Sequence, residues 1–305
     1  MRLRTPRHIL PESWRAVLQR LWGVFAPIRN ALERLLLHDG FEIAGYMAFS
    51  TLLALFPFLI FLIAFAAFFD AEGEAREAVT LAFGALPEQI AGAISRPFTE
   101  ALSIRSPQLL TVGAIVALWS ASNGVEALRT GLNRAYDTLE TRSIVRRRLE
   151  SLGIIACVVA LAVLLGYLTI VSTVAMTSLP DYAREAAGTV ANNILTHYLS
   201  AGAALFLALC IAHLWLPGGR RRLHDVMPGV LVSTLTWLAL AAGFTAYLAN
   251  FASYDVVYGG LGGIAAAMVF FYFTAILILF GAELNRSLRQ HFAAKSLTPY
   301  LGDDG

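Results

Sequence analysis

The stretch that decides the fold is LWSASNGVEALRTGLNRAYDTLETRSIVRRR, residues 118–148, where an apolar run gives way to a charged one. The uninterrupted apolar run, residues 109–121, makes only about 20 Å of helix, too short to cross about 30 Å of hydrocarbon. A membrane helix that begins there must therefore continue through Asn123 and Glu126 to about Arg129. The continuation keeps helical order and carries one polar stripe. This stripe consists of Ser122, Glu126, Arg129, Asn133 and Tyr136.

Ionisable side chains at the centre of a membrane cost about 2.5–3.5 kcal/mol each on insertion scales, so the stripe is expected to face the interior of a bundle. Glu126 and Arg129 stand three residues apart and are able to pair on the helix surface. Two interpretations remain open. The stripe lines a cavity, or the helix emerges into the cytoplasm near Asn123 and its charged end is solvated.

The composition predicts a polytopic membrane protein. Of the 305 residues, 57% are hydrophobic, above the roughly 45–50% apolar content of soluble domains. Charged residues make up 14%, and the mean hydropathy is +0.65. We expect an all-α bundle of six transmembrane helices with interfacial amphipathic helices, divided into an N-terminal segment 1–42, a transmembrane domain 43–289 and a tail 290–305. The six predicted spans are about 43–69, 109–129, 152–178, 198–216, 229–250 and 261–282.

The distribution of basic residues predicts the orientation. Nineteen Arg and Lys residues fall in segments on one side of these spans, and the other side has four: Arg76, Arg96, Arg105 and Arg184. Because basic residues accumulate in cytoplasmic segments, both termini are expected in the cytoplasm.

Amphipathic segments flank the spans. Aromatic and aliphatic residues between Trp14 and Phe25 recur at helical spacing and predict an interfacial helix, interrupted at Pro27. Residues 86–102 predict an outer amphipathic helix, and residues 181–197 a shorter one. Such helices either cover the ends of the spans or dock a partner.

Several residues in the spans predict bending or close packing. Pro57 removes a backbone hydrogen bond in mid-span, and Gly259 with Gly263 has the spacing of small residues at helix contacts. Glu283 and Asn285 end the last span at the level of the polar stripe, so that Glu283 is a possible partner of Arg129. The bending and packing residues are Tyr46, Ser50, Pro57, Tyr258, Gly259, Gly262 and Gly263.

Four blocks of sequence resemble the YihY/BrkB family of inner-membrane proteins: AGYMAFSTLLALFPFLIF, WSASNGVEALRTGLNRAYDTLETRS, DVMPGVLVSTLTW and YGGLGGIAAAMVFFYFTAILILFGAELNR. The resemblance covers roughly residues 39–289, with the blocks in the family's order. It implies a six-helix protein of the bacterial inner membrane, associated with envelope integrity and, in some pathogens, with serum resistance. A serine usual in the last block is replaced by Gly260. The matching positions are Tyr46, Ser50, Pro57, Asn123, Glu126, Arg129, Asn133, Arg134, Tyr136, Arg142, Tyr258, Gly259, Gly262, Glu283 and Asn285.

Members of this family have carried a ribonuclease label, which the residues argue against. Metal-assisted phosphodiester hydrolysis needs clustered His and Asp ligands, and the six histidines are scattered. Cys157 and Cys210 each lie alone in an apolar run and predict no metal site or disulfide. Positive-inside topology accounts for the arginine clusters without RNA. We therefore expect no catalytic activity, no cofactor, no metal and no nucleic-acid partner.

Two functions of different class are compatible with the sequence. One is the movement of a lipid or other amphiphile through a polar groove, with the arginines receiving an anionic headgroup. The other is an envelope scaffold that docks partners through its outer amphipathic helices. The expected partners are membrane lipids, with envelope proteins or a second copy as alternatives. The candidate substrate-binding residues are Asn123, Glu126, Arg129, Asn133, Arg134, Tyr136, Glu283 and Asn285.

Overall fold

The computed structural model describes residues 12–68, 107–157, 194–250 and 260–297. All regular secondary structure in these ranges is helical, as the predicted all-α class requires. The helices are α1 Glu12–Leu37, α2 Gly40–Phe68, α3 Pro107–Ala135, α4 at 144–157, α5 Ile194–Trp215, α6 Leu223–Asn250 and α7 Gly260–Leu297.

Two of these helices are long and apolar enough to cross a membrane, over Leu223–Leu248 and Gly262–Ala293. The predicted spans run in part outside the described ranges, so the count of six and the boundaries of the three predicted segments stay predictions. The outer helix at 86–102 and most of the one at 181–197 also lie outside the described residues.

The prediction that Pro27 interrupts the first helix is wrong. Helix α1 runs through Pro27 to Leu37. A proline inside a helix removes one N–H donor and crowds the preceding turn, but it leaves the other backbone bonds in place. Beyond Pro27, the helix packs on α7 and buries Ala31 and Leu35, which favours its continuation.

Helix α3 extends past the predicted end of the second span, at about Arg129, and reaches Ala135. The whole polar stripe except Tyr136 therefore lies within one helix, in keeping with its predicted helical order. Among the helices that the structure describes, the most extensive packing partner of α3 is α2. The contact is built on small side chains, with Ala44 and Ala127 fully buried. Close approach of these two helices fixes the apolar side of α3 and leaves the stripe facing away from α2.

Sharp turns join the helices. Asp39, between α1 and α2, and Asp137, after α3, have φ angles of 55° and 51°. The left-handed conformation is one that aspartate adopts more readily than most residues. The turn at Asp137 directs the following segment back along α3.

Helices α6 and α7 approach each other closely at Gly229 and Gly281. A side chain on either glycine would collide with the backbone of the opposite helix. At this crossing, the Gly229 N–H donates to Asn285 Oδ1 at 2.6 Å. Of the glycines predicted for packing, Gly262 and Gly263 are half-buried in the first turn of α7.

The remaining bending and packing residues divide between described and undescribed positions. Tyr258 and Gly259 lie outside the described residues. On α2, Tyr46 is half exposed and Ser50 half-buried, and the helix continues through Pro57.

Candidate functional site

The polar stripe of α3 is turned inward and covered. Ser122 and Arg129 are 2% and 1% exposed, and Asn123, Glu126 and Asn133 are half-buried. The cover is the segment after α3, which reverses at Asp137 and returns as α4. Of the two interpretations left open by the sequence, a charged helix end solvated from Asn123 onward is therefore not seen in the structure.

A charged seam, composed of Glu126, Arg129, Arg147, Glu150 and Ser151, joins α3 to α4. Arg129 Nη1 lies 3.7 Å from Glu126 Oε1 and 3.3 Å from Glu150 Oε2. Arg147 Nη1 lies 3.3 Å from the other oxygen of Glu126, and Ser151 Oγ donates to Glu126 Oε1 at 2.9 Å. The predicted pairing of Glu126 with Arg129 is present, and α4 supplies the additional charges.

Arg129 is neutralised but not hydrogen-bonded. Its Nε, Nη1 and Nη2 atoms are all buried, and none has a hydrogen-bond partner among the described residues. Buried polar groups almost always have partners, so an unsatisfied guanidinium requires an explanation. It is the feature of the seam that points most directly to a missing acceptor.

Glu140 holds the connection between α3 and α4. Its carboxylate accepts hydrogen bonds from Arg142 Nε at 2.8 Å, Arg142 Nη2 at 2.9 Å and Asn133 Nδ2 at 3.1 Å. Burial alone would raise the pKa of Glu140, but these hydrogen bonds outweigh it and lower the pKa from 4.5 to about 2. The same hydrogen bonds raise the pKa of Arg142. This connection is held by charge-assisted hydrogen bonds, which are stronger than neutral ones.

Arg142 and Asn133 also tie the connection to the end of α5. Arg142 donates to the carbonyl oxygens of Trp215 and Leu216, and the Gly218 N–H donates to Asn133 Oδ1 at 2.7 Å. A side chain at Gly218 would collide with the carbonyl of Leu139. Two connections thus meet over the end of α3.

Tyr136 is the centre of a second network. Asn285 Nδ2 donates to Tyr136 Oη at 3.1 Å, and Tyr136 Oη lies 2.7 Å from His213 Nδ1. Because Tyr136 accepts from Asn285, its own proton is available to His213 Nδ1. Burial raises the pKa of Tyr136 to about 12, so the hydroxyl stays protonated near neutral pH. Tyr136 and Asn285, both predicted site residues, are thus brought together.

The two other predicted residues have separate partners. Glu283 is fully buried and lies 2.5 Å from His38 Nδ1, and Arg134 pairs with Asp39 at 2.9 Å on the surface. In the described part of the chain, the possible contact of Arg129 with Glu283 is not seen. Arg129 belongs to the charged seam, and Glu283 contacts His38 instead.

An arginine pocket of about 280 Å³ opens beside Tyr136, between the end of α3, the start of α6 and the end of α7. The side chains of Arg286 and Asp137 form an ion pair of 2.7 Å near its edge. The pocket is lined by Tyr136, Thr138, Arg221, Asp225, Asn285, Arg286, Arg289, Gln290 and Ala293.

Sequence reasoning missed His38, His213, Glu150 and the pocket arginines. His213 offered a signal, because a titratable residue in an apolar helix is uncommon. The arginines offered none, since positive-inside topology already accounted for them. In the part of the chain that the structure describes, no three His, Cys, Asp or Glu side chains are grouped to hold a metal.

Comparison with known proteins identifies relatives along nearly the whole chain. It is 31% identical over 285 residues to a putative ribonuclease-like protein, YfkH, of Bacillus subtilis, covering 90% of this chain and 98% of that protein. It is 27% identical over 280 residues to a UPF0761 membrane protein of Alteromonas mediterranea, covering 91% and 90%. No solved structure matches. The sequence profile described as Virulence factor BrkB matches residues 31–299, and the chain therefore belongs to this family of membrane proteins.

Proposed function

We propose that this membrane protein binds and moves a lipid or another amphiphile with an anionic headgroup, without catalysing a reaction on it. One observation carries the proposal: Arg129 is 1% exposed, and none of its three guanidinium nitrogens has a hydrogen-bond partner within the described ranges. Ionisable groups at membrane depth commonly mark the path of a substrate. We place the protein in the bacterial inner membrane with both termini in the cytoplasm.

The chemistry of the missing acceptor supports an anionic headgroup. Glu126 and Glu150 compensate the charge of Arg129 but leave its donors unused. A phosphate or carboxylate group would accept two of them side by side, a geometry for which the guanidinium is suited. An anion that enters the seam would accept hydrogen bonds from Arg129, whose donors are otherwise unsatisfied.

The polar stripe supplies a path of suitable length. From Ser122 to Tyr136 it covers about 21 Å at 1.5 Å per residue. At one end, Arg148 donates to Ser122 and its guanidinium lies over the exposed ring of Trp119. At the other end is the arginine pocket. Acyl chains would remain outside, along the apolar surface of the helices.

Replacement of Arg129 tests the proposal. Arg129→Met keeps an unbranched side chain of similar reach and removes the unsatisfied cation, while Glu126 and Glu150 retain Arg147, Arg142 and Arg146 as partners. Replacing a buried charge with a packed apolar side chain is often neutral or stabilising. We expect Arg129→Met to keep or raise the thermal midpoint and to slow lipid movement at least tenfold.

The measurement is the movement of fluorescent phosphatidylglycerol between leaflets of liposomes that contain the purified protein. Arg146→Met is the matched control, because Arg146 contacts the same Glu150 but is 70% exposed. Its rate should equal that of the parent protein. Lipid movement at the parental rate in Arg129→Met, or none in the parent protein itself, would reject the proposal.

A further inference from the structure

The arginine pocket has an excess of positive charge. Arg221, Arg286 and Arg289 line it, and Asp225 is the single acidic residue in its lining. Asp225 is already engaged, since its carboxylate accepts from the Arg222 N–H at 3.3 Å. Asp137 at the edge of the pocket pairs with Arg286, so three guanidinium groups face two carboxylates and one positive charge stays uncompensated.

Hydrogen-bond donors also remain in the pocket. Arg286 donates a hydrogen bond through Nη2 to Asp137, while its Nη1 atom is buried without a partner among the described residues. Arg289, which lies on the same helix, forms no ion pair with any described residue. The pocket therefore offers donors as well as charge.

Arg221 is held in position. Its Nη1 atom donates to Gly218 O at 3.1 Å, and its guanidinium lies 4.0 Å from the centre of the Tyr136 ring. The ring is fixed in turn by Asn285 and His213. Burial lowers the pKa of Arg221, and the nearby positive charge of Arg289 acts in the same direction. A planar guanidinium fixed before the ligand arrives binds with a smaller entropy cost.

The size of the pocket limits the ligand. A volume of about 280 Å³ falls just below the roughly 300 Å³ at which sites for drug-sized ligands begin. That volume accommodates a headgroup or a small phosphate ester and excludes a whole lipid. Exposed Leu223, Met227 and Phe292 lie in the helical turns that form the pocket and offer an apolar surface to an acyl chain.

We propose that the arginine pocket binds a phosphate-type anion, either a free phosphate ester or the phosphate headgroup of a lipid. Two or more arginines would share the phosphate oxygens, with Asn285 and Tyr136 forming the polar wall. The lipid form of this site rests on the proposed function and would make the pocket the entrance to the charged seam. The free form does not rest on it.

The test is isothermal titration of the full-length protein in phosphatidylcholine nanodiscs. The probes are inorganic phosphate, glycerol 3-phosphate and dihexanoyl phosphatidic acid. The pocket variant is Arg221→Gln with Arg289→Gln, and the control is Arg220→Gln with Arg222→Gln. The control removes the same charge from exposed neighbours that do not line the pocket. The single variant Arg289→Gln, at an exposed position, guards against misfolding of the double one.

We expect the parent protein and the control to bind at least one probe equally, and the pocket variant to bind it at least tenfold more weakly. Binding of glycerol 3-phosphate as tightly as the short-chain lipid indicates a free ester, and preference for the lipid indicates a headgroup. No binding of any probe, or equal binding by the pocket variant and the control, overturns the site. Lipid movement is measured separately, so failure here leaves the role of Arg129 testable.

Discussion

The charged seam and the arginine pocket lie at two levels of the same helical stripe, but they balance their charges differently. In the seam, Arg129 lies between Glu126 and Glu150, and Arg147 shares Glu126. In the pocket, three arginines face Asp225 in the lining and Asp137 at the edge. The seam is nearly neutral and the pocket is positive.

This difference separates structural charges from binding charges. Carboxylates that bridge two arginines on different helices hold those helices together, and their loss leaves buried cations without compensation. An arginine without a carboxylate contributes little to folding and is available to a ligand. The carboxylates of the seam should therefore respond to substitution mainly in stability, and the arginines of the pocket mainly in binding.

The largest loss of stability is expected from Glu126→Ala. This change leaves buried Arg129 and partly buried Arg147 without the carboxylate that they share, and removes the acceptor of Ser151. Removing one partner of a buried ion pair costs about 3–5 kcal/mol. Thermal or denaturant unfolding in detergent measures the change in the free energy of unfolding.

Glu33→Ala is the matched control for this change. Glu33 forms an i,i+4 pair with Arg29 in which both side chains are more than half exposed. Its loss should cost less than about 1 kcal/mol. If Glu126→Ala were no more damaging than Glu33→Ala, the seam would not be a structural element.

A smaller, pH-dependent loss is expected from Glu140→Gln. The neutral amide cannot form the charge-assisted bonds with Arg142, which are worth about 1.5–3 kcal/mol at neutral pH. A carboxyl whose folded pKa is depressed stabilises the fold above its unfolded pKa and loses this contribution as the pH falls through the folded pKa. The unfolded pKa is 4.5 and the folded pKa is about 2, so the contribution is lost as the pH falls between these two values.

The measurement is the difference in unfolding free energy between the parent protein and Glu140→Gln from pH 7 to pH 2. It should be constant above pH 5 and shrink toward pH 2. Glu42→Gln, at an exposed position in the first turn of α2, should show a much smaller difference over the same range. A difference for Glu140→Gln that does not depend on pH would contradict the assignment of the carboxylate as the anchor.

Much of this architecture could be predicted from local pattern. The short apolar run before Asn123 required a longer helix, and α3 indeed extends to Ala135. Spacing also predicted the pairing of Glu126 with Arg129, because residues three apart meet on a helix. The inward direction of the stripe followed from the cost of burying charge.

What occupies the other side of the stripe could not be predicted in the same way. The cover depends on the reversal at Asp137, which places Arg147 and Glu150 on α3 through tertiary packing. The pocket combines residues from three separated segments, near 136, 221 and 286, and no periodicity relates them. Pro27 failed as a helix breaker because the burial of Ala31 and Leu35 outweighed the loss of one hydrogen bond.

The smallest effect is expected at Arg134, a predicted headgroup ligand that the structure places on the surface. Its ion pair with Asp39 joins side chains that are 55% and 61% exposed. Solvent screening limits such pairs to about 0–1 kcal/mol, and 1 M salt, with a screening length of about 3 Å, should remove most of that. Arg134→Gln should also leave lipid movement unchanged, unlike Arg129→Met.

A double-mutant cycle with Asp39→Asn measures the coupling directly. Asparagine suits this position because, like aspartate, it tolerates the left-handed backbone of residue 39, where φ is 55°. The cycle therefore removes the charge without straining the turn between α1 and α2. A coupling well above 1 kcal/mol that persists in 1 M salt would mean that this exposed pair acts like the buried pairs of the seam. Burial would then not be what distinguishes the structural charges of this protein from the rest.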